Sequence, residues 1–216
     1  MIKAVIFDLD GVLRDSEGSN LGAAALSFQN QGFNLTAEDN AFVTGRHPAD
    51  YLVELVKKYP VDVEKFNHDV RRHFLDLVAE AKLFPFVKEV FKLLKHYNIK
   101  IALATSSPAD FVEELFLKKY DFGSVFDVVI TFDDCDVRKP EPLVYDIVRK
   151  RLELEASECL VVEDTAIGVK AAKAAGMVCV AVPNEYTKDQ DFTEADQVIK
   201  SLGSVSLDFI KKLGGL

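Results

Sequence analysis

The sequence has few cysteines, no excess of cations and no long apolar run, and each shortage removes a class of protein. Its three cysteines, Cys135, Cys159 and Cys179, are odd in number, lack metal-ligand spacing, and in two cases lie in apolar, strand-like runs. They read as reduced, buried thiols of a cytoplasmic protein. Lysine and arginine total 26 against 35 aspartates and glutamates, a formal net charge of −9. With no general cationic field to release counterions, nucleic acid and anionic membrane are set aside as partners, and any phosphate must be met by local cations. No apolar stretch is long enough to span a bilayer, and the chain enters its first strand so early that no secretory signal is expected. Internal repeats and low-complexity segments are also missing. What remains is an ordinary globular composition, 49% hydrophobic and 28% charged over 216 residues, enough for one core and a smaller appended unit.

The most informative stretch is Lys3 to Ser16, KAVIFDLDGVLRDS. Ala4-Val5-Ile6-Phe7 is short and apolar on both faces, as in the central strand of a parallel sheet, where ligands sit beyond the carboxyl ends of strands. Asp8 and Asp10 are thereby delivered to the ligand edge, and Gly11 lets the chain turn away. Two carboxylates this close repel unless a cation or shared proton intervenes, which suggests Mg²⁺, a hard ion that takes carboxylate oxygens, waters and substrate phosphate. An Asx turn at a strand end is the alternative at this point.

From Gly18 to about Lys82 the pattern is helical throughout. Leu21, Ala25 and Phe28 share one face before Gly32 and Asn34 stop the run; Thr36 leads a short helix with Glu38 and Asp39 in its first turn. A third helix covers Ala49 to Tyr59, and Val63, Phe66, Val70, Phe74, Leu77 and Ala81 mark the stripe of a fourth, over Val63 to Ala81. After Pro85 helices and strands alternate. Strands are expected at Ile99–Ala104, Asp127–Thr131, Cys159–Val162, Met177–Val182 and Val198–Ile199, with helices at Val87–Tyr97, Pro108–Lys119, Pro142–Leu152, Ala166–Ala175 and Ser206–Leu213. This order predicts an α/β fold, a doubly wound, Rossmann-like parallel sheet core formed by residues 1–15 plus 84–216. Residues 16–83 form an all-helical insertion of roughly 65 residues, enough for a small cap domain over the catalytic strand. Its connections, near Asp15 to Gly18 and Lys82 to Pro85, are the expected hinges.

Three later strand ends carry polar groups. Ala104-Thr105-Ser106-Ser107-Pro108 places hydroxyls and amides at a helix start, suited to an anion or to plain N-capping. Lys139, in Arg138-Lys139-Pro140-Glu141-Pro142, is either a cation held before a rigid turn or a solvated surface lysine. Val161-Val162-Glu163-Asp164-Thr165 ends another apolar strand in two acids, one more than a solvated loop readily explains.

Taken in order, DLDGVLRDS, ATSS, KPEP and VEDTAIGVKAAKAAGM resemble the four motifs of the haloacid dehalogenase superfamily, in its phosphatase and β-phosphoglucomutase-like branch, across the whole chain. The insertion resembles that family's helical cap of the first class. The resemblance implies Asp8 as a nucleophile forming an aspartyl-phosphate, and Asp10 as the group that protonates the leaving oxygen and then activates water. It further implies Thr105 on a phosphoryl oxygen with Ser106 in support, and Lys139 offsetting charge on Asp8 and the phosphoryl group. Mg²⁺ would be held by Asp8, the Asp10 backbone carbonyl and Asp164, with Glu163 behind through the metal's waters. In the insertion, Arg46 falls where related caps often carry a phosphate- or sugar-contacting arginine; an exposed arginine before a Pro-opened helix is the alternative. Arg14 either lends positive potential to an anionic substrate or is a solvated hinge residue.

The chain departs from the pattern in three places. Mutases of this branch carry a His early in the first cap helix; here Asn20 occupies that neighbourhood and no His precedes His47. Arg138 and Phe86 stand where Gly is common. The resulting expectation is a cytoplasmic, Mg²⁺-dependent phosphatase acting on a small phosphorylated metabolite, a sugar phosphate or phosphoglycolate-like compound, and working as a monomer or weak homodimer. A sugar phosphomutase, which would need a bisphosphate activator, and a non-catalytic phosphate-metabolite sensor are the alternatives. A dehalogenase or phosphonate hydrolase is disfavoured by the acid at Asp10.

Overall fold

The computed structural model describes residues 1–135 and 137–215; Asp136 and Leu216, both inside the expected core segment, lie outside the described residues. The chain divides into two compact units, Met1–Arg14 with Leu83–Leu216, and Asp15–Lys82. β1 (Ala4–Phe7) leads into the second unit, which holds α1 (Glu17–Gln29), α2 (Ala37–Val43), α3 (Pro48–Lys58) and α4 (Val63–Val78). The first unit resumes with α5 (Val87–His96), β2 (Lys100–Ala104), α6 (Ala109–Val112), β3 (Val128–Ile130) and α7 (Leu143–Leu152). It closes with β4 (Cys159–Glu163), α8 (Ala166–Ala174), β5 (Val178–Ala181), β6 (Gln197–Val198) and α9 (Leu207–Leu213).

The six strands form one parallel sheet in the order β3-β2-β1-β4-β5-β6. β1 is central because all four of its side chains are apolar and buried, so only a position covered on both faces suits it. Alternation sends Val5 and Phe7 to one face, where they pack with Val90, Phe91 and Leu94 of α5, and Ala4 and Ile6 to the other, against Val144 and Val148 of α7 and Val169 of α8. Phe7 meets Phe91 edge-to-face at 5.5 Å, a geometry that adds ~0.5–1.5 kcal/mol beyond the area buried. Register puts Phe7 opposite Leu103 and Val162. The residues that follow these three strands therefore emerge together at one edge.

The helical unit has its own core. Phe28 of α1 packs on Phe66 of α4 with ring centroids 4.9 Å apart, and Tyr51 of α3 meets the same ring at 6.3 Å. Thr36 caps α2 in a reciprocal box with Asp39, as an N-cap hydroxyl and a third-position acid allow.

Three expectations are corrected in detail. The fourth helix ends at Val78, before Ala81, and its buried face runs through Phe66, Asp69, Val70 and Val78. Val63 and Leu77, expected on that stripe, are 46% and 38% exposed. Helical spacing marks residues that can share a face, but packing decides which are covered. The helix expected over Pro108–Lys119 is α6 for one turn and then π-helical from Glu113 to Lys118. The last strand is Gln197–Val198, one residue earlier than expected, paired through Gln197 with Val180 and Val198 with Ala181.

Candidate active site

Asp8 leaves β1 with its backbone still in the ladder, its N–H donating to Val162 O at 3.1 Å. Lys139 Nζ lies 2.6 Å from Asp8 Oδ1 and 2.6 Å from Glu163 Oε1, and also donates to Ala104 O at 3.3 Å. The ammonium thus gathers the ends of β1, β2 and β4, and it sits 5.0 Å above the Tyr145 ring, where the face of the aromatic attracts a cation. Tyr145 OH donates to Glu163 Oε1 at 2.7 Å. The other Glu163 oxygen accepts from Asp164 N, Thr165 N and Thr165 Oγ1 at 3.1, 3.3 and 3.2 Å.

These four groups share a buried electrostatic problem. Burial pushes the Asp8 carboxyl up to about 7; Lys139 opposes the rise, while Glu163 and Asp10 add to it. Burial alone would raise Glu163 too, but the Lys139 charge and the hydrogen bonds from Lys139, Tyr145 and Thr165 carry it below its ordinary value. Lys139, despite burial, is held above its usual range by Asp8 and Glu163. An ammonium shared by two buried carboxylates leaves the more richly hydrogen-bonded Glu163 as the settled anion. Gly168 makes this possible: a Cβ there would lie 2.0 Å from the Glu163 carboxyl.

Asp10 is held by a second set of donors. Arg14 Nη2 and Nε reach Asp10 Oδ1 at 2.6 and 3.1 Å, and Ser107 Oγ donates to Oδ2 at 2.6 Å. Thr105 is buried at the end of β2, and its hydroxyl accepts from Ser107 N at 3.0 Å; Ser106 stands half-buried between them. Asp164 Oδ2 accepts from Asn184 Nδ2 at 2.8 Å, and the same nitrogen lies 3.3 Å from Gly11 O. Gly11 has φ of +89°, and a Cβ on it would fall 2.1 Å from Asp164 Oδ2. Only glycine lets the β1 loop and the β4 loop approach this closely.

The chain matches the haloacid dehalogenase-like hydrolase family over residues 5–182. It belongs to that family. A phosphorylated carbohydrates phosphatase of Thermotoga maritima is 33% identical over 182 residues, covering 82% of each chain. YhcW of Bacillus subtilis is 32% identical over 216 residues, covering 96% of this chain and 95% of its own. Among solved structures, CbbY from Rhodobacter sphaeroides in complex with phosphate superposes with a TM-score of 0.83 at 24% identity, over 98% of this chain and 100% of that one, and so shows the same fold.

In this haloacid dehalogenase-like hydrolase the donors suit a hard divalent cation. Asp8 and Asp164 follow adjacent strands, and Gly11 leaves room for the Asp164 carboxylate against the loop that carries the Asp10 carbonyl. Among the described residues no three carboxylate, imidazole or thiol side chains cluster as a ready-made metal cage. Mg²⁺ does not need one, since it is commonly held by one or two carboxylates with waters and substrate phosphate.

The structure also redistributes the expected residues. Glu163, expected behind the metal's waters, turns both oxygens to Lys139, Tyr145 and the start of α8, and so stands behind Lys139. Arg14 is not a solvated hinge residue: it is fully buried and paired with Asp10. Arg46, in the helical unit, is exposed and stacks its guanidinium 4.3 Å over Phe42, with Nη1 2.6 Å from Phe42 O. Tyr145, Asn184 and Ser107 are additions to the expected set; only Ser107 carried a signal, a hydroxyl beside the second strand end.

Proposed function

We propose that this hydrolase is a Mg²⁺-dependent phosphatase of small phosphate monoesters, sugar phosphates or phosphoglycolate-like compounds, working through an aspartyl-phosphate on Asp8. One observation carries the reading: Lys139 bridges Asp8 and Glu163 at 2.6 Å each, while Asp10, two residues on, has both carboxylate oxygens held by other donors. One carboxylate is set beside a fixed cation and the second is oriented separately, the division of labour that nucleophile and proton-transfer group require. The relative named as a phosphorylated carbohydrates phosphatase supports the sugar-phosphate part of this class.

Asp8 attacks phosphorus, and the bond to the ester oxygen breaks as the acyl phosphate forms. Asp10 gives its proton to that leaving oxygen, then takes one from the water that cleaves the acyl phosphate, so that Asp8 is regenerated and inorganic phosphate departs. Lys139 and the Thr105 hydroxyl stabilise the charge that gathers on the phosphoryl oxygens. Asp8, Asp164 and the Asp10 carbonyl would hold Mg²⁺, which supplies further charge stabilisation and opposes the rise in the Asp8 pKa. The helical unit, with Arg46, selects the substrate, and the three free, buried cysteines suit a reducing, cytoplasmic setting.

The test is phosphate release from a panel of phosphorylated metabolites with Mg²⁺ and with chelator, for the wild type and Asp8→Asn. Release from a few compounds, lost on chelation and lost in the variant, is expected. Activity that survives Asp8→Asn would overturn the assignment, and silence that gives way to sugar-phosphate isomerisation with a bisphosphate activator would replace it by the mutase reading.

A further inference from the structure

Arg14 is the largest fully buried side chain described, at 0% exposure. Moving a guanidinium out of water is tolerated only where partners compensate its charge and its donors. The local backbone creates such a place. Gly11 N donates to Arg14 O at 2.8 Å and Arg14 N to Leu9 O at 3.0 Å, a tight turn that folds Arg14 back onto Asp10. Nη2 and Nε then meet Asp10 Oδ1, and Nη1 points to Leu115 O at 3.4 Å. Leu115 lies in the π-helical stretch Glu113–Lys118, a widened helix whose backbone bonding departs from the α pattern and which often marks a functional site. At the other carboxylate oxygen, Ser107 Oγ donates to Asp10 Oδ2 at 2.6 Å, with its own N–H bonded to Thr105 Oγ1. The Asp10 carboxylate is therefore pinned at both oxygens by groups from two different loops.

We infer that Arg14, acting with Ser107, is a positioning residue for the hydrolysis: the guanidinium holds Oδ1 and so fixes the direction of the Asp10 carboxyl group, and Oδ2, once protonated with the Ser107 hydroxyl turned to accept, can pass its proton to the leaving oxygen. The inference rests on the role proposed above for Asp10. A guanidinium offers several donors in a rigid fork, so it sets direction as well as charge; a lysine offers a single point. Misdirecting a proton donor matters in proportion to how much the leaving group needs the proton. That gives the inference a signature which loss of folding or of general packing would not produce.

The experiment compares kcat/KM for benzyl phosphate, whose alkoxide leaving group needs a proton, with 4-nitrophenyl phosphate, whose phenoxide does not. It uses the wild type, Arg14→Met, Arg14→Lys, Ser107→Ala and Asp10→Asn, each checked for folding by circular dichroism and thermal melting. Arg14→Met is expected to lose about 100-fold on benzyl phosphate, the scale of a misplaced catalytic group, and less than about 10-fold on the nitrophenyl ester. Arg14→Lys should recover part of the difference, and Ser107→Ala should show the same selectivity in weaker form. If Arg14→Met does not fold, the lysine and Ser107 variants decide. Equal losses on both esters in the folded variants, with Asp10→Asn still selective, would overturn the role of Arg14 while leaving Asp10 in place. An Asp10→Asn variant with no selectivity would instead overturn the assignment of Asp10 and this inference with it.

Discussion

Asp164 shows how a single residue in this site depends on a neighbour distant in sequence. Asn184 donates to Asp164 and approaches the Gly11 carbonyl, while its own oxygen accepts from Tyr186 N and Thr187 N at 2.9 and 3.2 Å. The amide is locked in place and locks the carboxylate in turn. Asn184→Ala is expected to weaken Mg²⁺ binding roughly 10- to 100-fold, the usual effect of removing a group that orients a ligand. Isothermal titration with MgCl₂ measures this, and an unchanged Kd would contradict it. Asp8, Asp10, Lys139 and Asp164 could be located from sequence because each sits at or beside the end of an apolar strand or in a rigid turn. Asn184 and Tyr145 could not: an asparagine after Pro183 and a tyrosine inside a helix are ordinary residues until the fold brings them to Asp164 and Glu163. Arg14 was visible as a charge, but its burial follows from a turn and a π-helical carbonyl that periodicity does not encode.

At the scale of the element, α2 is held by one acid. Asp39 accepts from Thr36 N and Oγ1 at the helix start, from Tyr59 OH at 2.6 Å and from Lys58 Nζ at 2.9 Å, tying α2 to the end of α3. Burial alone would raise this carboxyl, but the hydrogen bonds from Tyr59, Lys58 and Thr36 hold it well below the usual carboxylate range. A folded-state value below the unfolded one means that the stabilisation is present above about pH 4 and is lost as pH falls through the folded value. Asp39→Asn should therefore lower stability by about 1–3 kcal/mol at pH 7, and the gap to the wild type should narrow below about pH 4. Urea unfolding at the two pH values reads both numbers; a gap that does not change with pH would count against the ionised Asp39 as the tie. Thr36 and the acids behind it were legible as a helix start, whereas the link to Tyr59 depends on how α2 and α3 meet.

Across the whole molecule, the alternation of strands and helices after Pro85 was enough to read the parallel sheet, because β1 and the Cys159–Val162 run of β4 are apolar and buried on both faces and only covered strands tolerate that. The finer boundaries were not legible, since the π-helical stretch and the end of α4 answer to tertiary contacts. The sheet's order places β1 between β2 and β4, so a chain of net charge −9 assembles one buried ammonium beside its acids where a phosphoryl group would need it. In the proposed reaction the acid after β1 carries that phosphoryl group covalently. Rapid acid quench during turnover of a panel substrate, followed by peptide mass mapping, tests it most directly. One phosphoryl group is expected on Asp8, absent in Asp8→Asn; turnover with phosphorylation elsewhere, or with none at Asp8, would rule out Asp8 as the nucleophile.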